Sequence, residues 1–180
     1  MRPSRFLILN IICFLFYSLF VLRPTWKSTI NSKHARDYAT YHYAMKAASS
    51  GKNPYVTSEL SALSNIERTR TRVHPYFYPP PALLWMAWST PLDLSYSVRL
   101  FFLINQLLLG STLFLLVKQL HLPRWILGLA LLTYAPIHNT IYMGQANLIV
   151  LFFLSIAILY RNGASLSFAA MSKMSPALLF

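Results

Sequence analysis

The chain has 180 residues, 56% of them hydrophobic and only 11% charged, a balance that excludes an ordinary soluble domain. Its 16 Lys+Arg stand against 4 Asp+Glu, a formal net charge of +12; because the cations lie between apolar segments, the expected partners are membrane lipids and lipid-linked phosphates, with no nucleic acid. Cys13 is the only cysteine and lies inside an apolar run, which excludes a disulfide framework and a thiolate metal site.

Residues 6–22 carry no charge and match the roughly 17 to 25 residues a helix needs to cross hydrocarbon, so they predict a first transmembrane helix. Arg2 and Arg5 in front of this run imitate a secretory signal. The run nevertheless ends in Phe20, Val21, Leu22, Arg23 and Pro24 with no small-residue cleavage site, so the helix is expected to be retained. The polar segment Arg23–Tyr78 is too long for a tight connection and too short for a domain with its own core, and is expected to fold against the membrane surface. Within it, Tyr41, Met45 and Ala48 recur at helical spacing before Ser49, Ser50 and Gly51, which predicts a helix over about 38–50. Asn53, Pro54 and Tyr55 form the turn after it. Residues 56–74, where Arg68, Arg70 and Arg72 alternate, are read as mobile.

YFYPPP (76–81) leads into an apolar stretch closed by Pro91. Its length, about ten residues, is too short to span, so an interfacial or re-entrant helix is expected over 82–91 with Trp85 and Trp88 at head-group depth. Residues 98–117 predict a second span and 125–137, interrupted by Pro136, a third. After the polar break HNTIYMGQAN (138–147) a fourth covers 146–160. Residues 164–180 begin a fifth that stops in mid-run at Pro176–Phe180, as the front portion of a longer polytopic protein would. The result is one all-α membrane domain over 1–180, a polytopic transmembrane helical bundle whose large first loop, 23–97, carries interfacial helices. With the N-terminus cytoplasmic in the plasma membrane, Lys118–Arg124 and Arg161 are cytoplasmic, and the first loop shares the outer face with GQAN. The nine Lys/Arg of 23–78 oppose this orientation, although the positive-inside tendency weakens for loops near about 60 residues.

The stretch KHARDYATYHYAMKAASSGKNPY (33–55) sets Asp37, one of 4 acidic residues, among Lys33, His34, Arg36 and His42. Asp37 falls at or just before the start of the predicted helix, where a carboxylate can cap free backbone N–H groups. His34 and His42 flank it at a spacing that could recruit a metal, but no obligatory metal and no cofactor are expected.

Four stretches in this order, RDYATYHYAMKAASSGKNPY, YPPPALLWMAWSTPL, GQANLIVLFFLSIAILYRNG and KMSPALLF, resemble glycosyltransferase family 87, polytopic GT-C-type enzymes that use polyprenyl-phosphate sugars. The resemblance covers about 37–180. It implies a GT-C-like bundle and a hexosyltransferase, mannosyltransferase-like, that moves a sugar to a glycolipid or glycan hydroxyl on the extracytoplasmic face. It also implies a first-loop aspartate acting there, and Asp37 is the matching position. Transfer from a phosphate needs a base for the acceptor and little acid help, because the leaving group departs as an anion. Hydrolytic glycosidases instead use two carboxylates, and neither Glu59 nor Glu67 is evidently paired with Asp37. An N-cap remains the alternative role for Asp37; for the chain the alternatives are a non-enzymatic lipid-binding or transport component, or a fragment of the enzyme that is inactive in isolation.

Around Asp37, the candidates for holding a lipid phosphate are Arg36, Lys52, His74 and the Arg68, Arg70, Arg72 group, with solvated charges as the alternative. Tyr41, Asn53, Tyr55 and Tyr78 are further substrate-binding candidates. Tyr76, Tyr78 and Pro79 could stack on a sugar or anchor the interface. Gln145 and Asn147, beside Gly144, either wall a wet cavity or join two helices. Lys173 matches the family's Lys-x-x-Pro element; chain parity puts it nearer the cytoplasmic side, where snorkelling competes with function.

Overall fold

The computed structural model describes residues 3–30, 35–69, 72–123, 125–133 and 135–173, and every regular element among them is helical. Lys33, His34, Arg70, Arg124 and residues 174–180 of the expected fifth span lie outside the described residues.

The first helix runs further than the sequence suggests. α1 (Pro3–Tyr17) passes through a π-helical turn (Ser18–Leu22) into α2 (Arg23–Ile30). Pro24 has no N–H, and its ring crowds the carbonyl four residues back. The wider π turn, in which the Arg23 N–H reaches the Ser18 carbonyl, accommodates it. Leu7–Lys27 thereby forms a 21-residue apolar helix and α5 (Leu94–Gln119) one of 26 residues, each long and apolar enough to cross a bilayer. On the first of these Leu7, Ile8, Ile11, Phe14 and Leu15 face outward, whereas Cys13, Tyr17 and Val21, four apart, face inward. That outward apolar surface suits hydrocarbon rather than water.

The later helices are short. α6 (Trp125–Thr133) and α7 (Ala135–Met143) replace one span over 125–137, and α8 (Asn147–Tyr160) is followed by α9 (Gly163–Ser172). With 14 residues α8 is about 21 Å long, less than the roughly 30 Å of a hydrocarbon core. α5 and α8 run in the same direction. Val98 and Phe101 share a core cluster with Ala146 and Ile149, and at the far end Gln119 Nε2 donates to the Tyr160 hydroxyl at 2.7 Å. α9 folds back along α8, with Phe168 against Phe153 at a ring separation of 4.3 Å.

The first loop packs into a core shared with the ends of α5 and α8. α3 (Arg36–Ser49) is buried from Tyr38 to Ala44 and forms the centre of the larger cluster. It ends as its sequence predicts: Gly51 takes φ +72 and the Lys52 N–H reaches the Ala47 carbonyl at 2.8 Å. α4 (Thr57–Ile66) occupies much of the stretch read as mobile. Its Leu60 is fully buried in the α3 cluster. Just beyond it Glu67 pairs with Lys46 at 2.5 Å and accepts the Tyr43 hydroxyl at 2.9 Å. The expected 82–91 helix is a 3₁₀-helix over Pro80–Ser89. Trp85 and Trp88 pack, partly buried, against the core, Trp85 lying between Tyr41 (6.1 Å) and Phe101 (6.2 Å).

Candidate active site

The site forms where the first turns of α3 meet the turn between α7 and α8. Ala35, in left-handed conformation (φ 56), precedes α3 and donates its N–H to the Tyr142 carbonyl at 3.2 Å. Gly144 closes α7 at φ +69, and a Cβ there would stand 2.8 Å from Tyr38 Cβ and 3.2 Å from Ala35 Cβ. A side chain at 144 is therefore opposed twice, by backbone conformation and by the bulk of α3. This close seat brings GQAN to Asp37.

Asp37 lies in the first turn of α3, not at its cap position, which Ala35 occupies. That corrects the capping alternative, because its Oδ2 accepts a hydrogen bond from Gln145 Nε2 at 2.7 Å, across 108 residues of sequence. Tyr41 lies one turn along the same face of α3. Its own O–H donates to the Tyr78 hydroxyl at 2.6 Å, with the rings edge to face at 4.8 Å. Burial first, then the neighbouring Tyr78 and Asp37, push Tyr41 above the ordinary tyrosine range. Tyr78 is pushed up chiefly by burial, with Asp37 adding to it and the Tyr41 hydrogen bond working against it. Both phenols hold their protons at physiological pH, so they can donate but not act as bases.

Gln145 is itself held. Asn147 Nδ2 donates to Gln145 Oε1 at 2.7 Å and to Thr140 Oγ1 at 3.2 Å, and Lys173 Nζ donates to Asn147 Oδ1 at 2.8 Å. This contact corrects the reading of Lys173 as nearer the Arg161 end. The ten residues of α9 carry the chain back about 15 Å, most of the length of α8, so that Lys173 reaches the end where α8 begins. Thr140 was not among the candidates; its place in the polar run HNTIYMGQAN was the available signal.

The remaining candidates fall elsewhere. Tyr55 donates its hydroxyl to the Tyr78 carbonyl at 3.0 Å and lies 5.4 Å from the Tyr76 ring, so it braces the 76–78 strip from outside. Asn53 spends its side chain in its own turn, Oδ1 accepting from the Tyr55 N–H at 3.0 Å, while its N–H donates to Glu59 at 2.9 Å. Arg36, Lys52, Arg68, Arg72 and His74 are exposed. Glu59 and Glu67 are engaged with Asn53 and with Tyr43 and Lys46, away from Asp37. His42 is fully buried with Nδ1 at 3.4 Å from Ser97 Oγ, a core position rather than a surface ligand.

Two apolar helices long enough for a bilayer, with a carboxylate and amide cluster gathered near one end, define a membrane-associated helical protein. The chain belongs to glycosyltransferase family 87, whose family model matches residues 76–180, more than half of its length. No curated protein and no solved structure matches it. Membership implies a glycosyltransferase with donor and acceptor substrates in a membrane setting. The matched stretch contains Tyr78, Gln145, Asn147 and Lys173, while Asp37 precedes it; the Gln145–Asp37 hydrogen bond joins the two parts.

Proposed function

We propose that this chain transfers a hexosyl group from a polyprenyl-phosphate donor to a hydroxyl acceptor at the extracytoplasmic face, by single displacement with inversion, and that Asp37 is the general base. The observation that carries the reading is the 2.7 Å bond from Gln145, inside the family stretch, to the Asp37 carboxylate. In this scheme the acceptor oxygen bonds to the anomeric carbon as its proton passes to Asp37. The bond from that carbon to the phosphate oxygen breaks, and its electron pair leaves with the lipid phosphate. No second carboxylate is required, because the phosphate leaves as an anion. Tyr78, a protonated phenol close enough to feel the Asp37 charge, is suited to hydrogen-bond a sugar hydroxyl.

The test is to incubate the purified full chain with radiolabelled polyprenyl-phosphate mannose and a lipid extract as acceptor. Mannosyl transfer with inverted anomeric configuration is expected. Retained configuration, or transfer from a nucleotide sugar but not from the lipid-linked donor, would overturn the scheme.

A further inference from the structure

The contacts behind Asp37 run in one direction. Lys173 Nζ donates to Asn147 Oδ1 (2.8 Å), Asn147 Nδ2 donates to Gln145 Oε1 (2.7 Å), and Gln145 Nε2 donates to Asp37 Oδ2 (2.7 Å). Both ends fix that polarity, because an ammonium has no acceptor and a carboxylate no donor. Turning either amide over would set donor against donor. Aligned hydrogen bonds also polarise one another, more strongly away from water. An ammonium beside apolar helices needs a countercharge. Through two amides, Lys173 finds one in Asp37.

We propose that Gln145, Asn147 and Lys173 are positioning residues, a one-way relay anchored by the Lys173 cation that holds Asp37 Oδ2, rather than groups that bind the sugar donor. Oδ2 is committed to Gln145, which leaves Oδ1 to take the proton of the acceptor hydroxyl. Thr140, accepting the second Asn147 N–H at 3.2 Å, fixes the rotation of that amide. The proposal rests on the reading of Asp37 as base and extends it to the residues that aim the base.

Lys173→Met, Lys173→Arg, Asn147→Asp and Asp37→Asn, made in the full chain, separate the possibilities. The kinetic probe is radiolabelled polyprenyl-phosphate mannose. Asn147→Asp is the discriminating variant, since it keeps an acceptor for Lys173 and removes the donor to Gln145. It and Lys173→Met should each lower kcat on the order of 100-fold, the cost of a badly aimed catalytic group, with donor KM within about twofold of wild type. Lys173→Arg should restore most of the rate. The double variant should be no slower than the worse single one, because both changes cut the same relay.

A rise in donor KM with kcat unchanged, or losses that multiply in the double variant, would overturn the relay and return Lys173 to donor binding. Asp37→Asn that still transfers would sink the base reading itself. Asp37→Asn that is inert beside a fully active Lys173→Met would sink only the relay. For variants too unstable for kinetics, a hydrophobic carbodiimide applied to membranes gives a substrate-free readout. Its coupling to Asp37, measured by peptide mass spectrometry relative to Glu67 in the same sample, should rise by about fivefold or more when the relay is cut and Gln145 no longer engages Oδ2. Equal labelling in wild type, Lys173→Met and Asn147→Asp would contradict it.

Discussion

Gly144→Ala is the smallest change that should undo the site from behind. The new methyl would stand 2.8 Å from Tyr38 Cβ, a fully buried side chain, and 3.2 Å from Ala35 Cβ, so neither neighbour can swing aside as a flexible tip would. Reaching an ordinary contact of about 3.4 Å requires the turn to retreat by roughly 0.6 Å, which stretches the 2.7 Å Gln145–Asp37 bond toward the limit of a hydrogen bond. Overpacking of this kind costs about 1 to 3 kcal/mol, and forcing alanine to φ +69 adds about 1 kcal/mol more. At about 2 to 4 °C per kcal/mol for a chain of this size, the melting temperature of the detergent-solubilised protein should fall by about 5 °C or more. Transfer activity should fall further than the loss of folded protein explains. Gly110→Ala is the control, since a Cβ there meets nothing within 4 Å. A Gly144→Ala protein that melts and turns over like Gly110→Ala would refute the seating of the α7–α8 turn on α3.

Three further outcomes follow from the packing. Gly128→Ala would put a Cβ 2.6 Å from Cys13 Cβ and should destabilise by about 1 to 3 kcal/mol in thermal melts; Cys13→Gly should rescue it, whereas Cys13→Ala, which keeps the offending Cβ, should not. Tyr17→Phe removes the hydroxyl that donates to Gln106 Oε1 at 2.8 Å between two apolar helices, and should cost about 0.6 to 1.7 kcal/mol by the same assay. Burial, and then the neighbouring Lys46 charge, hold His42 neutral in the fold, with its pKa down to about 4 from 6.5, against a smaller opposing effect of Glu67. Because the unfolded chain takes up this proton first, the His42 contribution is complete above about pH 6.5 and is lost as pH falls toward 4, up to about 3 kcal/mol. Melts of wild type and His42→Gln between those pH values should converge on acidification, and parallel curves would exclude His42 as the source.

The local features were legible because they depend on neighbours in sequence. The helix after Asp37, its stop at Gly51 and the break at GQAN follow from periodicity, glycine and polarity within a few residues. Pro24 was misleading for a physical reason: a π turn upstream absorbs a proline that would end an ordinary helix. α4 was hidden because TSELSALSNI buries chiefly Leu60 and Ser64 and draws its hold from Glu67, which sits outside the helix. At the site, Asp37 stood out by its setting and Gln145 and Asn147 by the polar break, chain parity put the first loop and GQAN on one face, and Lys173 rested on the resemblance alone. Their connection was not readable, since it depends on the length of α9 and on a backbone seat between Gly144 and Tyr38.

The measurement that bears most directly on the central claim is the rate of mannosyl transfer from polyprenyl-phosphate mannose by Asp37→Asn, in protein shown by melting to be folded. Asparagine fills the same space and can still meet Gln145, but it cannot accept the acceptor proton. A loss on the order of 100- to 10,000-fold in kcat, with donor KM nearly unchanged, is the predicted result. Transfer within a few-fold of wild type would contradict the assignment of Asp37 as the base.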